Sequence, residues 1–492
     1  MKEKLSTYLI VGIIAVLGTA FLGLVIAKTG GSLALFSVLA IFALLISFFY
    51  ILRNPFYGFL LIVFFLPFER VPVINFAGVD VKINTILGFL TLFCWILALI
   101  FDRKNNKLQP NALGIPILIF VFAMFASLFQ DIPINLDRGY SVLIFILFTI
   151  ALSVLAVNMI SGINNLKKVV LVLLSSSAVV GLFGLFQFAG DVVGLPASVT
   201  LLKYGYDSRV FGFPRIQAFS MEPLYLANYL LIPLSLCLAY FLEHTNIIPF
   251  RGKNWWLLGL MAVLLIDFIL TVSRGGYLGL IATFVILGII YFKKIFNLRN
   301  LSILIVLVFV FGGVFFALQN SQPRAMNEFI KHVTLNDLNK GESTVGRLST
   351  YNQALIIWSK HKLLGTGLGN FGPFILGFPA QALKTGWPIV NNEFLEILAE
   401  TGLVGISAFC FIFVVLFYRT WLALKVNKDP FLRATIIGLS AALIGILVQY
   451  NFFSTLYIIH IWVLIGLMVG VQNLMLKSQS PNRNIQPNSK PQ

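Results

Sequence analysis

Residues 402–422 read GLVGISAFCFIFVVLFYRTWL, a run of 21 positions in which Arg419 is the one charged side chain. As a helix, rising about 1.5 Å per residue, such a run covers roughly 30 Å, the thickness of a bilayer hydrocarbon core. Its apolar residues fall at every helical position and not along one stripe, so no face is reserved for water. Comparable runs recur at approximately 6–27, 31–52, 55–68, 83–101, 112–129, 140–160, 167–189, 222–242, 255–272, 275–292, 300–318, 434–450 and 454–475. A chain of 492 residues that is 59% hydrophobic and 11% charged has no use for so much apolar surface in water. The expected fold is therefore all-α: a polytopic integral membrane helix bundle of about 14 transmembrane helices, within a range of 12 to 14. The run at 55–68 is short for a full crossing and is the weakest of these spans, with a re-entrant segment as its alternative. The run at 6–27 follows Lys2, Glu3 and Lys4, is longer than the apolar core of a signal peptide, and is expected to be a retained first helix.

The net charge of +17 would suit a nucleic-acid surface only if the basic residues were gathered on one soluble face. They are instead dispersed over short connections, as membrane topology requires, and no nucleic-acid partner is expected. With the N-terminus inside, alternation puts Arg103, Lys104 and Lys107, then Lys167 and Lys168, Arg251 and Lys253, Lys293, Lys294 and Arg299, and finally Arg419, Lys425, Lys428 and Arg433 on the cytoplasmic side. Both termini are then cytoplasmic. Cys94, Cys237 and Cys410 lie inside apolar runs, so neither a disulfide nor a metal site is expected from them. No spacing of Cys, His or acidic residues suggests a metal, and no cofactor motif is present.

Four regions follow: membrane helices 1 to 11 in 1–318, a large extracytoplasmic loop in 319–401, helices 12 to 14 in 402–476, and a disordered cytoplasmic tail in 477–492. The loop and the shorter outer segment at 190–221 are too long to be plain connectors and are the expected home of function. Within the loop, Val345 to His361 reads as a helix, Gly365, Gly367, Gly369 and Gly372 as a turn region, and Asn391 to Thr401 as a helix running into the next span.

Arginines at the outer boundary are the first candidates for chemistry, because a guanidinium there must find water or an anion. Arg274 sits in Ser273-Arg274-Gly275-Gly276, a brief break between two spans, while Arg209 and Arg215 precede Glu222 in the outer segment. An interfacial anchor or a salt bridge is the alternative for each; it is preferred for Arg209 and least suited to Arg274, which alone sits in a tight helix-to-helix link. Glu222, in Met221-Glu222-Pro223, reads equally as a helix cap and as a catalyst. Asp267, inside its span, is expected to form a buried ion pair with some basic partner, and His460 to be a hydrogen-bonded packing residue. The Gly365-Thr366-Gly367-Leu368-Gly369-Asn370 turn has no βαβ context and is not a nucleotide loop.

That turn, preceded by His361-Lys362-Leu363-Leu364 and followed by Asn392-Glu393-Phe394-Leu395-Glu396-Ile397-Leu398-Ala399-Glu400-Thr401-Gly402, resembles the O-antigen ligase and O-antigen polymerase superfamily. The Ser273-Arg274-Gly275-Gly276 link and the Glu222-Pro223 opening resemble it too, so the likeness covers roughly 205–405. Where that family usually carries a histidine that helps to activate the acceptor hydroxyl, this chain has Asn391, which takes no proton near neutral pH. Glu222 and Glu393 are the nearest substitutes.

What the resemblance implies is a membrane glycosyltransferase that needs no metal. It would transfer or polymerise a polyprenyl-pyrophosphate-linked oligosaccharide on the outer face of the cytoplasmic membrane, in surface polysaccharide assembly. The acceptor would be a glycan, a lipid or a protein, with membrane lipid around the site. A polymerase is slightly preferred to a ligase, because the chain has more spans than a minimal ligase needs. Arg274, Arg215, Glu222 and Asn391 would be catalytic, and Arg209, Arg347, Asn392, Glu393 and Glu400 would bind substrate. The rival from another class is a multi-span solute transporter, which should show two matching halves and charges at mid-membrane.

Overall fold

A computed structural model describes residues 48–70, 73–76, 79–101, 107–129, 135–203, 214–245, 255–295, 342–377 and 386–477, with isolated positions at 247, 297, 313, 316, 319 and 320. In chain order the elements are α1 (Pro55–Phe65), β1 (Val73–Phe76), β2 (Val79–Lys82), α2 (Ile83–Phe101), α3 (Gly114–Ala126), α4 (Leu136–Met159), α5 (Ile163–Val192), α6 (Ala197–Thr200), α7 (Pro223–Leu242), α8 (Trp255–Leu270), α9 (Arg274–Ile290) and α10 (Phe292–Ile295). They continue with α11 (Glu342–Lys360), α12 (Phe371–Leu376), α13 (Glu393–Val426), α14 (Pro430–Gln449) and α15 (Ile459–Lys477). Among the described residues, seven helices are long and apolar enough to cross a membrane (α2, α4, α5, α7, α13, α14 and α15), and α1, α3, α8 and α9 are shorter apolar helices. The expected spans at 6–27, nearly all of those at 31–52 and 300–318, and the tail beyond Lys477 lie outside the described residues.

One departure from an all-helical chain is an antiparallel hairpin, in which Val73 pairs with Lys82 and Phe76 with Val79. Its sequence, Val73-Ile74-Asn75-Phe76 and Val79-Asp80-Val81-Lys82 around Ala77-Gly78, has the β-branched residues and the Gly-containing two-residue link of a hairpin.

The chain divides into two compact units, Met1–Leu61 with Leu87–Lys107, and Ile62–Ile86 with Leu108–Gln492. In the first, a side chain on Gly58 of α1 would come within 2.4 Å of Thr91 Oγ1 on α2, so glycine permits that helix contact. The second unit is built around α7, α14 and α15, which are buried along most of their length. Small residues let these helices approach: Gly438 of α14 faces Leu236 of α7, Gly445 faces the Gly279 carbonyl of α9, and Gly466 of α15 faces the Ser153 carbonyl of α4. Removing lipid from between helices requires such close van der Waals contact, because lipid tails are as apolar as leucine.

Helix α13 starts at Glu393, before the expected membrane entry at 402, and is interrupted at Gly402 with φ 66° and ψ −163°. An unbroken helix would bond Leu403 N to Ala399 O and Val404 N to Glu400 O. Here the loop before α12 takes all four groups. Thr366 N donates to Ala399 O (3.0 Å), Gly367 N to Glu400 O (2.9 Å), Leu403 N to Lys362 O (2.9 Å) and Val404 N to Leu363 O (3.2 Å). The approach is so close that a Cβ on Gly402 would lie 2.2 Å from Leu363 O, and one on Gly365 would lie 2.3 Å from the Glu400 carbonyl carbon.

Gly402→Ala is expected to destabilise the fold by more than about 3 kcal/mol, because the left-handed backbone and the backbone clash add together. Fluorescence-detected size-exclusion chromatography after heating the detergent-solubilised protein should show it, and Gly288→Ala, where no atom lies within 4 Å of the added carbon, should leave the profile unchanged.

Candidate functional site

The turn between α14 and α15, residues 450–458, bonds Glu393 and packs against Gly275 and Tyr225, the near neighbours of Arg274 and Glu222. It was expected to begin a helical span at 454, and its apolar composition reads that way, yet α15 starts at Ile459. Tertiary bonds hold it open. Glu393 accepts from Thr455 N, Trp462 Nε1 donates to Leu456 O (2.6 Å), and Glu393 N donates to Tyr450 O (2.8 Å). Phe452 lies over Gly275 of α9, and Phe453 packs edge-on against Tyr225 of α7.

Helices α7 and α9 begin side by side, since a Cβ on Gly276 would touch that of Ala227 at 2.9 Å. Glu222 is the N-cap position of α7, but its side chain makes no capping bond, so its carboxylate is not committed to the helix end. Ser273 caps α9 by accepting from Gly276 N, and Arg274 is the first helical residue, half-buried. Arg215 Nε donates to Thr271 O (3.2 Å), and the neighbouring Ile216 N donates to Leu270 O (3.2 Å). The segment carrying Arg215 thus runs along the end of α8 and places both arginines at the same helix break. Val272, within that break, has φ +47°, an unusual conformation for a β-branched residue and one that stores strain at this point. Arg209 lies outside the described residues.

The loop side of the site is built by α11. Thr350 Oγ1 donates to Val390 O (2.8 Å), and the Tyr351 hydroxyl lies between the carbonyls of Asn391 (3.1 Å) and Asn451 (2.5 Å). Arg347 is one turn earlier on the same helix and close enough to act electrostatically on Tyr351. Asn391 has φ +59°, a left-handed conformation that asparagine tolerates better than most residues. Its side chain makes one long contact, to Ile389 O (3.5 Å).

Three other expected substrate ligands are engaged by the protein itself. Asn392 caps α13 by accepting from Leu395 N (3.1 Å). Glu393 braces the 450–458 turn, and Glu400 accepts from Gly369 N (2.8 Å) and Phe371 N (3.0 Å), which closes the glycine turn. With Glu396, which accepts from Val390 N (2.9 Å), they form one acidic face of α13 at spacings of three and four. Arg138, at the start of α4, answers that face: it donates to Gly369 O and lies over the Trp387 ring at 5.2 Å. A cavity of about 80 Å³ between Arg138, Glu396, Glu400, Ser454 and Tyr457 completes this layer.

Arg138, the 450–458 turn and Glu69 were not singled out from the sequence. Only the Glu393, Glu396 and Glu400 periodicity could have signalled that a basic partner was needed. Glu69 N and Arg70 N both donate to Phe219 O (3.1 and 2.9 Å), which fastens the segment after α1 to the approach to Glu222. Burial pushes the Glu69 carboxyl up to about 7, against the opposing pull of Lys82 and of the Met221 backbone N–H. His460 is hydrogen-bonded and packed, as expected: Nε2 meets Asn228 Oδ1 at 2.7 Å, and the ring packs edge-on against Tyr229. Asp267 departs from expectation. It is fully buried against Gly181 and Gly184 of α5, and neither carboxylate oxygen has a hydrogen-bond partner among the described residues. The two glycines leave room for the carboxyl group, and no basic side chain on α5 reaches it.

Residues 259–410 match the family model described as O-antigen ligase. No curated protein matches the chain. The matched stretch contains Arg274, Arg347, Asn391, Glu393 and Glu400, together with the glycine turn and the Gly402 break that hold the loop side of the site. This chain is accordingly a multi-pass membrane protein whose residues 259–410 are similar to the O-antigen ligase family.

Proposed function

We propose that the protein transfers or polymerises oligosaccharides carried on polyprenyl pyrophosphate, at the outer face of the cytoplasmic membrane, in surface polysaccharide assembly. The observation that carries this reading is the convergence of Arg215 and Arg274 on the α8–α9 break, beside the α7 start that bears Glu222, with Arg274 inside the family-matched segment. A helix N-terminus with an arginine at its first position and a second arginine alongside suits the two phosphates of a pyrophosphate. In the reaction an acceptor hydroxyl oxygen attacks the anomeric carbon, the bond from that carbon to the pyrophosphate oxygen breaks, and its electron pair leaves with the pyrophosphate. Arg274 and Arg215 neutralise the charge that develops there. Glu222 takes the hydroxyl proton, a role that asparagine at 391 has no capacity for. Asn391, with its side chain directed away from helix capping, orients the acceptor, and Arg347 assists at the loop side.

Both termini then lie in the cytoplasm and the loop before α13 lies outside. Polymerisation is preferred to ligation because the many helices ahead of the matched stretch give a long lipid-linked chain a place to lie. Transfer by purified protein in nanodiscs, supplied with polyprenyl-pyrophosphate glycan, should yield a ladder of longer lipid-linked chains. One product on a different acceptor would make the protein a ligase, and no transfer together with solute uptake into vesicles would sink the reading in favour of a transporter.

Arg274→Ala should lower kcat about 100-fold, the usual scale for losing a charged group that stabilises a leaving group. Arg274→Lys should recover part of it, since lysine keeps the charge but loses the fork. Asn391→His is expected to fold normally, because histidine shares asparagine's tolerance of left-handed backbone, whereas Asn391→Val should lose both stability and activity. Melting temperature and transfer rate measured on the same preparations separate the two effects.

A further inference from the structure

A chain of buried polar side chains runs beneath the proposed pyrophosphate site, and its direction is set by its last acceptor. Gln449 Nε2 points to Gly276 O (3.5 Å), in the first turn of α9, and a carbonyl only accepts. Gln449 Oε1 therefore accepts from Asn228 Nδ2 (2.7 Å), which leaves Asn228 Oδ1 to accept from His460 Nε2 (2.7 Å). With its proton on Nε2, a neutral His460 presents a bare Nδ1. That nitrogen is buried, has no hydrogen-bond partner among the described residues, and faces Glu69 Oε1 at 3.8 Å. Glu69 Oε2 is likewise buried without a partner among them. A small rotation of a protonated Glu69 closes the contact and supplies the donor that Nδ1 lacks, whereas an ionised Glu69 would set two acceptors against each other.

We propose that Glu69, uncharged and donating to His460 Nδ1, is a positioning residue for glycan transfer: through His460, Asn228 and Gln449 it fixes the first turn of α9, where Arg274 is held. Space for this linkage is built into α9, since a Cβ on Gly279 would lie 2.6 Å from Gln449 Cγ. The charged and titratable groups around Glu69 are Lys82 at the end of β2, the adjacent Arg70, Tyr225 on α7 near Glu222, Tyr457 in the 450–458 turn, and His460. Lys82 pulls toward ionisation and burial opposes it, with burial prevailing. The folded carboxyl holds its proton more tightly than an unfolded one. Its stabilising bond is therefore complete below the ordinary carboxylate range and is lost as pH rises through about 7.

The role rests on the glycosyl-transfer reading, and the test separates the two. Glu69→Gln keeps a donor for Nδ1 but cannot titrate; Glu69→Ala removes the donor. Glu69→Gln should keep wild-type kcat within about threefold at pH 6 and lack the wild-type decline between pH 6 and pH 8, while Glu69→Ala should lower kcat at least tenfold at every pH with KM little changed. Infrared spectra of the wild type at pH 6 should show a protonated-carboxyl band that fades by pH 8 and is absent from Glu69→Gln. If that band is missing from wild type, or if folded Glu69→Gln titrates like wild type or loses activity as Glu69→Ala does, the proposal is overturned. Absence of any transfer by wild type, with the band present, removes the reaction itself and leaves the hydrogen-bonded chain standing.

Discussion

The site depends on a trade of backbone hydrogen bonds at Gly402. A helix interrupted near a lipid boundary exposes amides and carbonyls that water cannot reliably serve, at a cost of several kcal/mol for each one left unpaired. In α13 the two lost intrahelical bonds are replaced by four bonds to residues 362–367, so the break carries no deficit in hydrogen bonding. The same contacts decide where the glycine turn, α11 and the Asn391 segment lie relative to the membrane helices. Only glycine fits at 402, where an added carbon would meet the Leu363 carbonyl.

From that junction the acidic face of α13 works outward. Glu400 closes the glycine turn, Glu396 fixes Val390 just before Asn391, and Glu393 holds the turn that follows α14. Carboxylates on a helix entering a bilayer would normally be a liability, yet each here meets backbone amides, and Arg138 balances part of the charge. These side chains shape the candidate site, and under the proposed function Asn391 and Glu222, whose polar atoms are less engaged, face the acceptor. The α7 and α9 starts, joined through Ala227 and Gly276, contribute the other wall.

A buried polar chain in such a protein has to be complete to be worth its desolvation. The path from Gly276 O through Gln449, Asn228 and His460 is satisfied at every link until Nδ1, where the protonation of Glu69 decides whether it closes. That places a titrating group at the far end of a linkage whose near end is the helix turn that holds Arg274.

Composition and the length of the apolar runs determined by themselves that this is a helical membrane protein, because a lipid solvent permits few alternatives and the required length is fixed by the bilayer. The Ser273-Arg274-Gly275-Gly276 break and the glycine turn were legible for a related reason: glycines clustered between or beside long apolar runs mark where a helix stops. The sequence could not reveal that Glu393 and Glu400 are turned onto backbone amides, that 454–458 is held out of the helix that its composition favours, or that Asp267 has no ion pair among the described residues. It also gave no reason to connect Glu69 with His460, which lies hundreds of positions away. Those outcomes were decided by the tertiary structure, because each depends on which groups distant in the chain come within hydrogen-bonding range, and periodicity and hydropathy describe only the neighbourhood of a residue along the chain.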